Sequence, residues 1–275
     1  MKNSVFSKCL SVTLVLIIFL SSCTKVDYLP TQNDFLKKIK QGDYIVEEIS
    51  YNQNNLVSEV NSTLFYRKFH YNENRKLIKE EVAISPNTIS SSIIPGSTHE
   101  FVDPKKTGIS MYHLYEYDNN NKLIRQLNYI PKDGEDEFRS KSTFEYNDNN
   151  QISKVLLYND ENEVTQFWTY LYDSDNNVIE ENYYTYLFIP VGTGPKHLTK
   201  TTYQHDSFSN PYKIFEQSGN PGINTNKNNI IKTKTINYDP APGLPAVSES
   251  ETSYEYNHVT GYPIRVINGE EFIYD

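Results

Sequence analysis

The sequence predicts an all-β protein, an antiparallel meander of about eight repeated β-hairpins curled into a barrel-like or half-closed shell, with a short N-terminal helix. Two observations lead to this prediction. Aromatic residues make up 13% of the 275 residues, too many for a disordered chain of low hydrophobicity. An internal repeat also recurs along most of the chain, which is typical of architectures built from one supersecondary unit.

Each repeat is marked by a ring followed by Asn or Asp. The ring residues, at position zero of the repeat, are Tyr51, Tyr71, Tyr117, Tyr146, Tyr172, His205, Tyr238 and Tyr256. The residues that follow them are Asn52, Asn72, Asp118, Asn147, Asp173, Asp206, Asp239 and Asn257. Every repeat also has an apolar or aromatic residue two positions before the ring and an apolar or aromatic residue, or Pro211, six positions after it.

These columns predict a strand, a turn and a second strand. Apolar residues two apart place one side of a strand in a core, and an Asx side chain starts a turn by bonding to the backbone two residues on. The apolar residue at plus six then opens the return strand, after a loop of about four to five residues. The residue at plus eight is mostly charged, so either plus six still belongs to the loop or a β-bulge shifts the pattern.

Eight hairpins would supply about 16 strands, and open twisted sheets rarely exceed about ten. The sheet is therefore expected to curl or close, which also hides unpaired edges; two packed sheets are the alternative. Before the first repeat, Asn33 or Asp34 is predicted to cap a brief helix through Lys40, with Phe35, Leu36 and Ile39 on one side and Gly42 at its end.

The N-terminus predicts export. Lys2 and Lys8 precede an apolar run that ends at Leu20, which is shorter than the roughly 20 residues needed to cross a bilayer. Leu20-Ser21-Ser22-Cys23 resembles the lipobox of bacterial lipoproteins, and this resemblance implies a signal peptide over residues 1–22 and lipidation of Cys23. An ordinary cleaved signal peptide is the alternative. Residues 23–43 would then form a lipidated tether with the helix, and 44–275 the repeat domain.

Charge and cysteine content narrow the classes of partner. Removal of the signal leaves 24 basic and 35 acidic residues, a formal net charge of −11, which disfavours nucleic acid. With Cys9 removed and Cys23 lipidated, no thiol remains for a disulfide, a zinc site or a nucleophile. The expected partners are a membrane, reached through the lipid on Cys23, and a polysaccharide or protein ligand. Thr24 and Lys25 lack an Asp retention signal, which favours the outer membrane.

Tyr115-Glu116-Tyr117-Asp118, followed by Leu123, resembles the YD repeats of RHS-type proteins. The plan is also similar to that of envelope lipoproteins of unknown function that carry repeats. The resemblance spans about residues 49–267 and implies a β-hairpin repeat domain. RHS proteins build large shells around a cargo domain, whereas this chain has only eight units. The resemblance implies, as one alternative function, a component of a secretion or toxin assembly.

No motif predicts catalysis, a metal or a cofactor. No two of the six histidines have the spacing of a helical zinc pair, and the acidic run 133–137 fits no EF-hand. The insertions at 85–107, 131–137, 190–195 and 218–229 are predicted surface loops. The candidate binding residues are Trp168, Tyr183, Tyr184 and Tyr186, because they place rings on both faces of adjacent strands, where exposed rings can stack on sugars or hold a peptide.

The sequence therefore predicts a membrane-anchored, cell-envelope lipoprotein with a non-catalytic repeat domain that acts as a binding or scaffolding module. A glycan-active surface enzyme, with carboxylates on the insertions as acid and base, is an alternative.

Overall fold

The computed structural model describes residues 35–85, 101–187 and 193–275. The predicted signal peptide, Cys23 and most of the 85–107 insertion lie outside these residues. The strands are β1 (Leu36–Gln41), β2 (Tyr44–Tyr51), β3 (Val57–Ser62), β4 (Phe65–Tyr71), β5 (Leu77–Ile84), β6 (Met111–Tyr117), β7 (Leu123–Ile130), β8 (Glu137–Tyr146), β9 (Ile152–Tyr158), β10 (Val164–Tyr172), β11 (Val178–Thr185), β12 (Lys196–Ser209), β13 (Asn228–Asn237), β14 (Val247–Glu251), β15 (Tyr254–Tyr256), β16 (Pro263–Val266) and β17 (Glu270–Tyr274). Helix α1 spans Pro104–Thr107, and a 3₁₀ helix spans Pro211–Ser218.

All 17 strands of the described residues belong to one antiparallel sheet. Pairing runs from β15 through β16 and β17 to β1, and then from β2 to β14 in chain order. No ladder joins β14 to β15 within the described ranges, so the sheet is not closed into a barrel. Side chains bring its two ends together: the Tyr254 hydroxyl donates to the Ile230 carbonyl at 3.2 Å, and the rings of Phe208 and Tyr256 stack at 4.0 Å. The predicted hairpin meander is confirmed, whereas the predicted barrel-like shell is confirmed only in part.

The core lies on the inner face of the curled sheet. Leu36 in β1, Phe144 in β8, Val178 in β11 and Phe272 in β17 belong to one cluster of buried residues. Because its members come from strands throughout the series, the sheet wraps around this core; a smaller, separate cluster contains Tyr66, Ala83 and Val102. Each large apolar side chain that is fully buried stabilises the fold by about 1.5–3 kcal/mol.

The first five repeats form the predicted turns. The Asn52 carboxamide oxygen accepts the backbone N–H groups of Asn54 and Leu56 at 2.9 and 3.1 Å. Asp118, Asn147 and Asp173 accept the equivalent pairs. The residue four positions after each ring has a positive φ, and these residues are Asn55, Arg75, Asn121, Asn150 and Asn176. Asn is the side chain that tolerates this left-handed backbone best after Gly.

A β-bulge explains the charged residue at plus eight. In the first repeat Tyr51 pairs with Val57 and Ser50 with Glu59, so Ser58 is the extra residue. The next four repeats show the same shift. The bulge turns the residue at plus eight to the outer face, where Arg125 pairs with Glu116 at 3.0 Å. The sequence left open a longer loop or a bulge, and the structure shows the bulge.

The tyrosines at position zero link successive repeats. The Tyr71 hydroxyl donates to the carbonyl of Val57, and that of Tyr117 to the carbonyl of Leu77, at 2.8 and 2.9 Å. Tyr146 and Tyr172 donate in the same way to Leu123 and Ile152, both at 2.7 Å. In each case the acceptor is the plus-six residue of the preceding repeat. The column of rings is therefore a hydrogen-bonded series along one edge of the sheet.

The predicted N-terminal helix is wrong, because Leu36–Gln41 forms β1, between β2 and β17. The spacing of Leu36 and Ile39 suggested a helical face. A register shift between Leu36 and Lys38 instead lets these two residues, three apart in a strand, both reach the core.

The three later repeats each depart from the prediction. Strand β12 continues through His205 and Asp206 to Ser209, and Pro211 begins the 3₁₀ helix instead of a return strand. The hairpin after Tyr238 does form, but Asn237, not Asp239, accepts the turn N–H at 3.0 Å, and Leu244 lies in an exposed loop before β14. In the eighth repeat β16 begins one residue later than predicted, at Pro263.

Antiparallel order places most of these turns at one edge. We call this edge the turn rim, formed by loops 52–56, 72–76, 118–122, 147–151, 173–177 and 257–262. The Tyr238 hairpin lies at the opposite edge. A further unit that the sequence analysis missed, Tyr158-Asn159 with Asn162 at φ 67° and Val164 opening β10, also lies there.

Residues 210–227, which we call the rim insertion, return from the turn rim over the inner face. Phe215 is buried in the core beside Phe69, with ring centroids 6.1 Å apart. Buried amides hold the segment in place: Val178 donates its N–H to the Asn226 side chain at 2.7 Å, and Asn228 donates its N–H to the Asn177 side chain at 2.9 Å. The rim insertion is therefore a fixed part of the fold.

Acid is expected to weaken this attachment through His205. The Asn226 carboxamide oxygen accepts from Val178, so its nitrogen faces His205 Nε2 at 3.1 Å and requires a neutral ring. Burial lowers the pKa of His205 below its usual value of 6.5. The unfolded chain then takes up the proton more readily, and stability falls as pH decreases through about 6.5. Urea unfolding at neutral and mildly acidic pH measures this loss.

His205→Gln is the matched variant, because the glutamine oxygen can accept from Asn226 at any pH. It is expected to show a smaller loss of stability between the two pH values than the parent protein. Equal losses in both proteins would show that His205 is not the responsible group.

Candidate functional site

A cleft of about 480 Å³ lies between the turn rim and the rim insertion. We call it the rim cleft. Its volume is within the range of small-molecule sites, about 300–1,000 Å³. Its lining residues are Lys76, Tyr117, Asn121, Lys122, Leu123, Tyr146, Asn149, Asn150, Gln151, Ile152, Tyr172, Asn176, Glu216, Gln217, Gly219, Pro221 and Thr225.

Three consecutive rim repeats supply the same pair of side chains to the rim cleft. Each pair is the position-zero tyrosine and the left-handed asparagine four residues later: Tyr117 with Asn121, Tyr146 with Asn150, and Tyr172 with Asn176. The tyrosines end β6, β8 and β10, which are alternate strands of the sheet. Since neighbouring strands lie about 4.8 Å apart, equivalent positions recur about every 9.6 Å along the rim cleft.

The rings of the rim cleft are fixed and neutral. Their hydroxyls donate to backbone carbonyls, as described above, which sets the orientation of each ring. Burial raises the pKa of Tyr146 to about 12. The Lys76 ammonium lies 5.7 Å from the centroid of Tyr117, and the Lys122 ammonium lies 5.2 Å from that of Tyr146. The cleft floor therefore presents apolar ring area beside cationic hydrogen-bond donors.

Several amides of the rim cleft are free to bind a ligand. Asn121, Asn149 and Asn150 are exposed, and their side chains make no hydrogen bond to another described residue. Each such amide offers two donor hydrogens and one acceptor oxygen. On the opposite wall, Gln217 is held by Leu77 N–H at 2.9 Å and by the Arg75 carbonyl at 3.1 Å. One wall is thus held by the fold. The other offers unpaired amides in its first two repeats, whereas Asn176 of the third repeat accepts from Gln151 Nε2 at 2.8 Å.

The structure does not bring the four predicted binding aromatics together. Trp168 and Tyr183 stack at 5.0 Å, and Trp168 packs against the core on the inner face. Tyr184 lies on the other face of β11, stacked on Phe167 at 4.5 Å and on His197 at 4.3 Å. Tyr186 is 40% exposed, with its ring 6.2 Å from that of Phe167. Much of the face of Trp168, Tyr183 and Tyr184 is covered by a neighbouring ring.

Carboxylates inside the shell are bound to the rim insertion and the core. Burial and the nearby Glu270 raise the pKa of Glu47, and the Tyr212 hydroxyl donates to Glu270 at 3.2 Å. Glu80 accepts from Arg67 at 2.6 Å and from Tyr115 at 2.8 Å. Over the described part of the chain, no three His, Cys, Asp or Glu side chains form a group that could hold a metal ion.

The tyrosines and the Asx residues were predicted to be architectural, and no role was predicted for the asparagines four positions after the rings. The column was visible as Asn55, Arg75, Asn121, Asn150 and Asn176. Its recurrence indicated a left-handed turn residue. The side chains of this column face a cleft only because the rim insertion, which is distant in sequence, forms the opposite wall.

No protein-family model matches the sequence, and no curated protein is similar to it. Among solved structures, a porin-like protein from Bacteroides vulgatus is similar at 8% identity, with a TM-score of 0.50, over 88% of this chain and 99% of that one. A porin-like protein from Bacteroides uniformis is similar at 11% identity, with a TM-score of 0.37, over 87% and 98% of the two chains. The Photorhabdus luminescens Tc holotoxin pore is similar at 11% identity, with a TM-score of 0.21, over 76% of this chain and 13% of that one.

At 8% identity the likeness to the Bacteroides vulgatus protein shows a shared fold and nothing more. The other two likenesses are too weak to support an argument. Among the helices that the structure describes, none is long and apolar enough to span a membrane.

Proposed function

We propose that this protein is a cell-envelope lipoprotein whose sheet is a non-catalytic binding module, with the rim cleft as its ligand site. The main support is the pairing, within one concave site, of fixed neutral rings with amides that have no partner in the described structure. Rings contribute apolar contact area, and the amides orient a ligand through hydrogen bonds. Both are features of a recognition site.

The proposed location is the outer membrane, with anchorage through a lipid on Cys23. The support is the sequence Leu20-Ser21-Ser22-Cys23 after a basic and apolar leader, together with a fold shared with a protein described as porin-like. A lipoprotein's several acyl chains would satisfy the requirement of two signals for stable anchoring. Nucleic acid is not an expected partner, given the net charge of −9.

Cys23→Ser tests the anchor. Cells that express the parent protein are expected to incorporate labelled palmitate into it and to retain it in the membrane fraction. The variant is expected to lose both the label and the membrane association. Palmitate incorporation that persists in the variant would contradict lipidation at this cysteine.

The binding role is tested with the purified protein against a panel of envelope polysaccharides and secreted proteins. We expect saturable binding to at least one class of polymer, without release of shortened products on long incubation. Product release would favour the glycan-active enzyme instead, and no binding across the panel would contradict the proposed role.

A further inference from the structure

We infer that the rim cleft takes a linear β-linked glycan, which lies along the turn rim across the strands and places alternate sugars at Tyr117, Tyr146 and Tyr172. This inference rests on the proposed function, that the rim cleft binds a ligand. It adds the chemical class of the ligand and its register on the protein.

The spacing of the repeated positions selects this class of polymer. Equivalent rings recur about every 9.6 Å, the width of two strands. An extended β-1,4-linked hexopyranose chain presents the same ring face again after two sugars, over a length close to this spacing. An extended peptide presents side chains on one face about every 6.8 Å, so its side chains would not coincide with both the first and the second tyrosine. A repeating site with this period therefore matches a disaccharide repeat better than a peptide.

The chemistry of each position also fits a sugar. A pyranose ring has apolar C–H faces that pack on an aromatic ring, and hydroxyls around its edge that both donate and accept hydrogen bonds. The tyrosine rings supply the first kind of contact. Asn121, Asn149 and Asn150 supply both donors and acceptors for the second. The Lys76 and Lys122 ammonium groups add donors above the rings.

Charge disfavours a strongly anionic polymer. Glu216 lies in the opposite wall of the rim cleft, 4.0 Å from Lys213, so the cleft carries charges of both signs. The whole chain carries a formal net charge of −9, which repels polyanions at long range. We therefore expect an uncharged or weakly charged glycan.

Three positions along one ligand predict a dependence on chain length. The first and third tyrosines are separated by four strand spacings, about 19 Å. A disaccharide can occupy only one repeat of the site, whereas a longer oligosaccharide reaches further repeats without a new loss of translational freedom. Affinity is expected to rise with each added disaccharide and to level off once the ligand spans all three tyrosines.

Isothermal titration calorimetry of the purified full chain tests the class of ligand. The probes are cellohexaose and chitohexaose, which are extended, and maltohexaose, which contains the same glucose units as cellohexaose in a coiled chain. We expect at least one extended hexamer to bind at least 10-fold more tightly than maltohexaose, and more tightly than its own disaccharide. Equal affinity for cellohexaose, chitohexaose and maltohexaose would overturn the inference.

Two further outcomes separate this inference from the proposed function. Saturable binding of a secreted protein with no binding of the three hexamers would overturn the inference and leave the binding role standing. No binding of any probe, glycan or protein, would overturn both.

Asn121→Gly and Asn150→Gly locate the site. These residues have φ values of 60° and 61°, so glycine keeps the turn and removes only the amide. Each variant is expected to weaken glycan binding about 5-fold, the usual size of one hydrogen bond. Asn162→Gly is the matched control, because Asn162 has φ 67° in the turn 159–163 at the opposite edge. Unchanged affinity in both rim variants would overturn the placement of the glycan in the rim cleft.

Discussion

Gly219→Ala is expected to destabilise the folded protein by about 2–4 kcal/mol, from the combined costs of overpacking and of a left-handed backbone. Gly219 ends the 3₁₀ helix with φ +76°, and a Cβ there would lie 2.7 Å from Leu123 Cδ2 and 3.0 Å from Phe144 Cζ. Leu123 and Phe144 are buried in the core and cannot retreat without disturbing their neighbours. The added methyl group should therefore push the rim insertion away from β7 and β8. Urea unfolding, followed by circular dichroism, measures the loss.

Gly222→Ala is the control for the backbone contribution. Gly222 has φ +103° and would place its Cβ more than 4 Å from any other group. Its substitution is expected to cost only the conformational strain of a positive φ, about 1–2 kcal/mol. Equal losses for the two variants would show that the contact with Leu123 and Phe144 is unimportant. Because Gly219 lines the rim cleft, the first variant should also lose ligand affinity.

The hairpins were predictable because their determinants are local. A ring, an Asx residue and a left-handed residue within five positions make the turn through hydrogen bonds such as that from the Asn54 N–H to the Asn52 side chain. No distant partner is needed for these bonds, so the pattern in the sequence is enough. The turn at Tyr158-Asn159, which was not predicted, is equally local, because Asn159 accepts the Glu163 N–H at 2.8 Å. Tyr158 lies only 12 residues after Tyr146, so this turn falls at the opposite edge of the sheet and outside the repeat series.

The failures arise where distant residues decide the structure. At His205-Asp206, Asp206 accepts from the Asn229 N–H at 3.1 Å and from the Tyr256 hydroxyl, 23 and 50 residues away. Asp206 still accepts the Phe208 N–H, two residues on, at 2.9 Å, but its distant partners carry β12 onward through a bulge to Ser209 where the local sequence indicated a hairpin. Residues 36–41 likewise form a strand because β2 and β17 lie on both sides of them, and neither neighbour is apparent from the hexapeptide itself.

The site was predicted less well than the fold. The sequence pointed to four rings near β10 and β11, and their positions on two faces follow from the alternation of strand side chains. The rim cleft instead depends on the return of the rim insertion over the sheet, through contacts such as that between Val178 and Asn226, 48 residues apart. A segment rich in Asn, Gly and Ser indicated only a loop. Its docking against the turn rim is a property of tertiary structure.

Alkaline pH is expected to unfold the protein abruptly, before about pH 11. Burial, as the largest cause, raises the pKa of 14 tyrosines above 10: Tyr51, Tyr66, Tyr71, Tyr112, Tyr115, Tyr117, Tyr146, Tyr170, Tyr172, Tyr203, Tyr212, Tyr254, Tyr256 and Tyr274. Above pH 10 the unfolded chain loses these protons while the folded chain keeps them, so stability that is complete below pH 10 is lost as pH rises. Each deeply buried group removes about 1.4 kcal/mol per pH unit, whereas partly exposed tyrosines such as Tyr112 remove less, because solvent screens their interactions.

The seven most deeply buried of these tyrosines together remove about 10 kcal/mol within roughly one pH unit, which is comparable to the usual folding stability of about 5–15 kcal/mol; they are Tyr51, Tyr115, Tyr170, Tyr172, Tyr203, Tyr212 and Tyr274. Tyrosinate absorbance and circular dichroism, recorded against pH, should therefore change together in one steep step. Gradual ionisation near pH 10 with an unchanged β-sheet spectrum would contradict the prediction. Tyr146→Phe is the matched variant: it loses the bond to the Leu123 carbonyl and about 1 kcal/mol at neutral pH, but its stability should fall less steeply above pH 10, since one ionising group is gone.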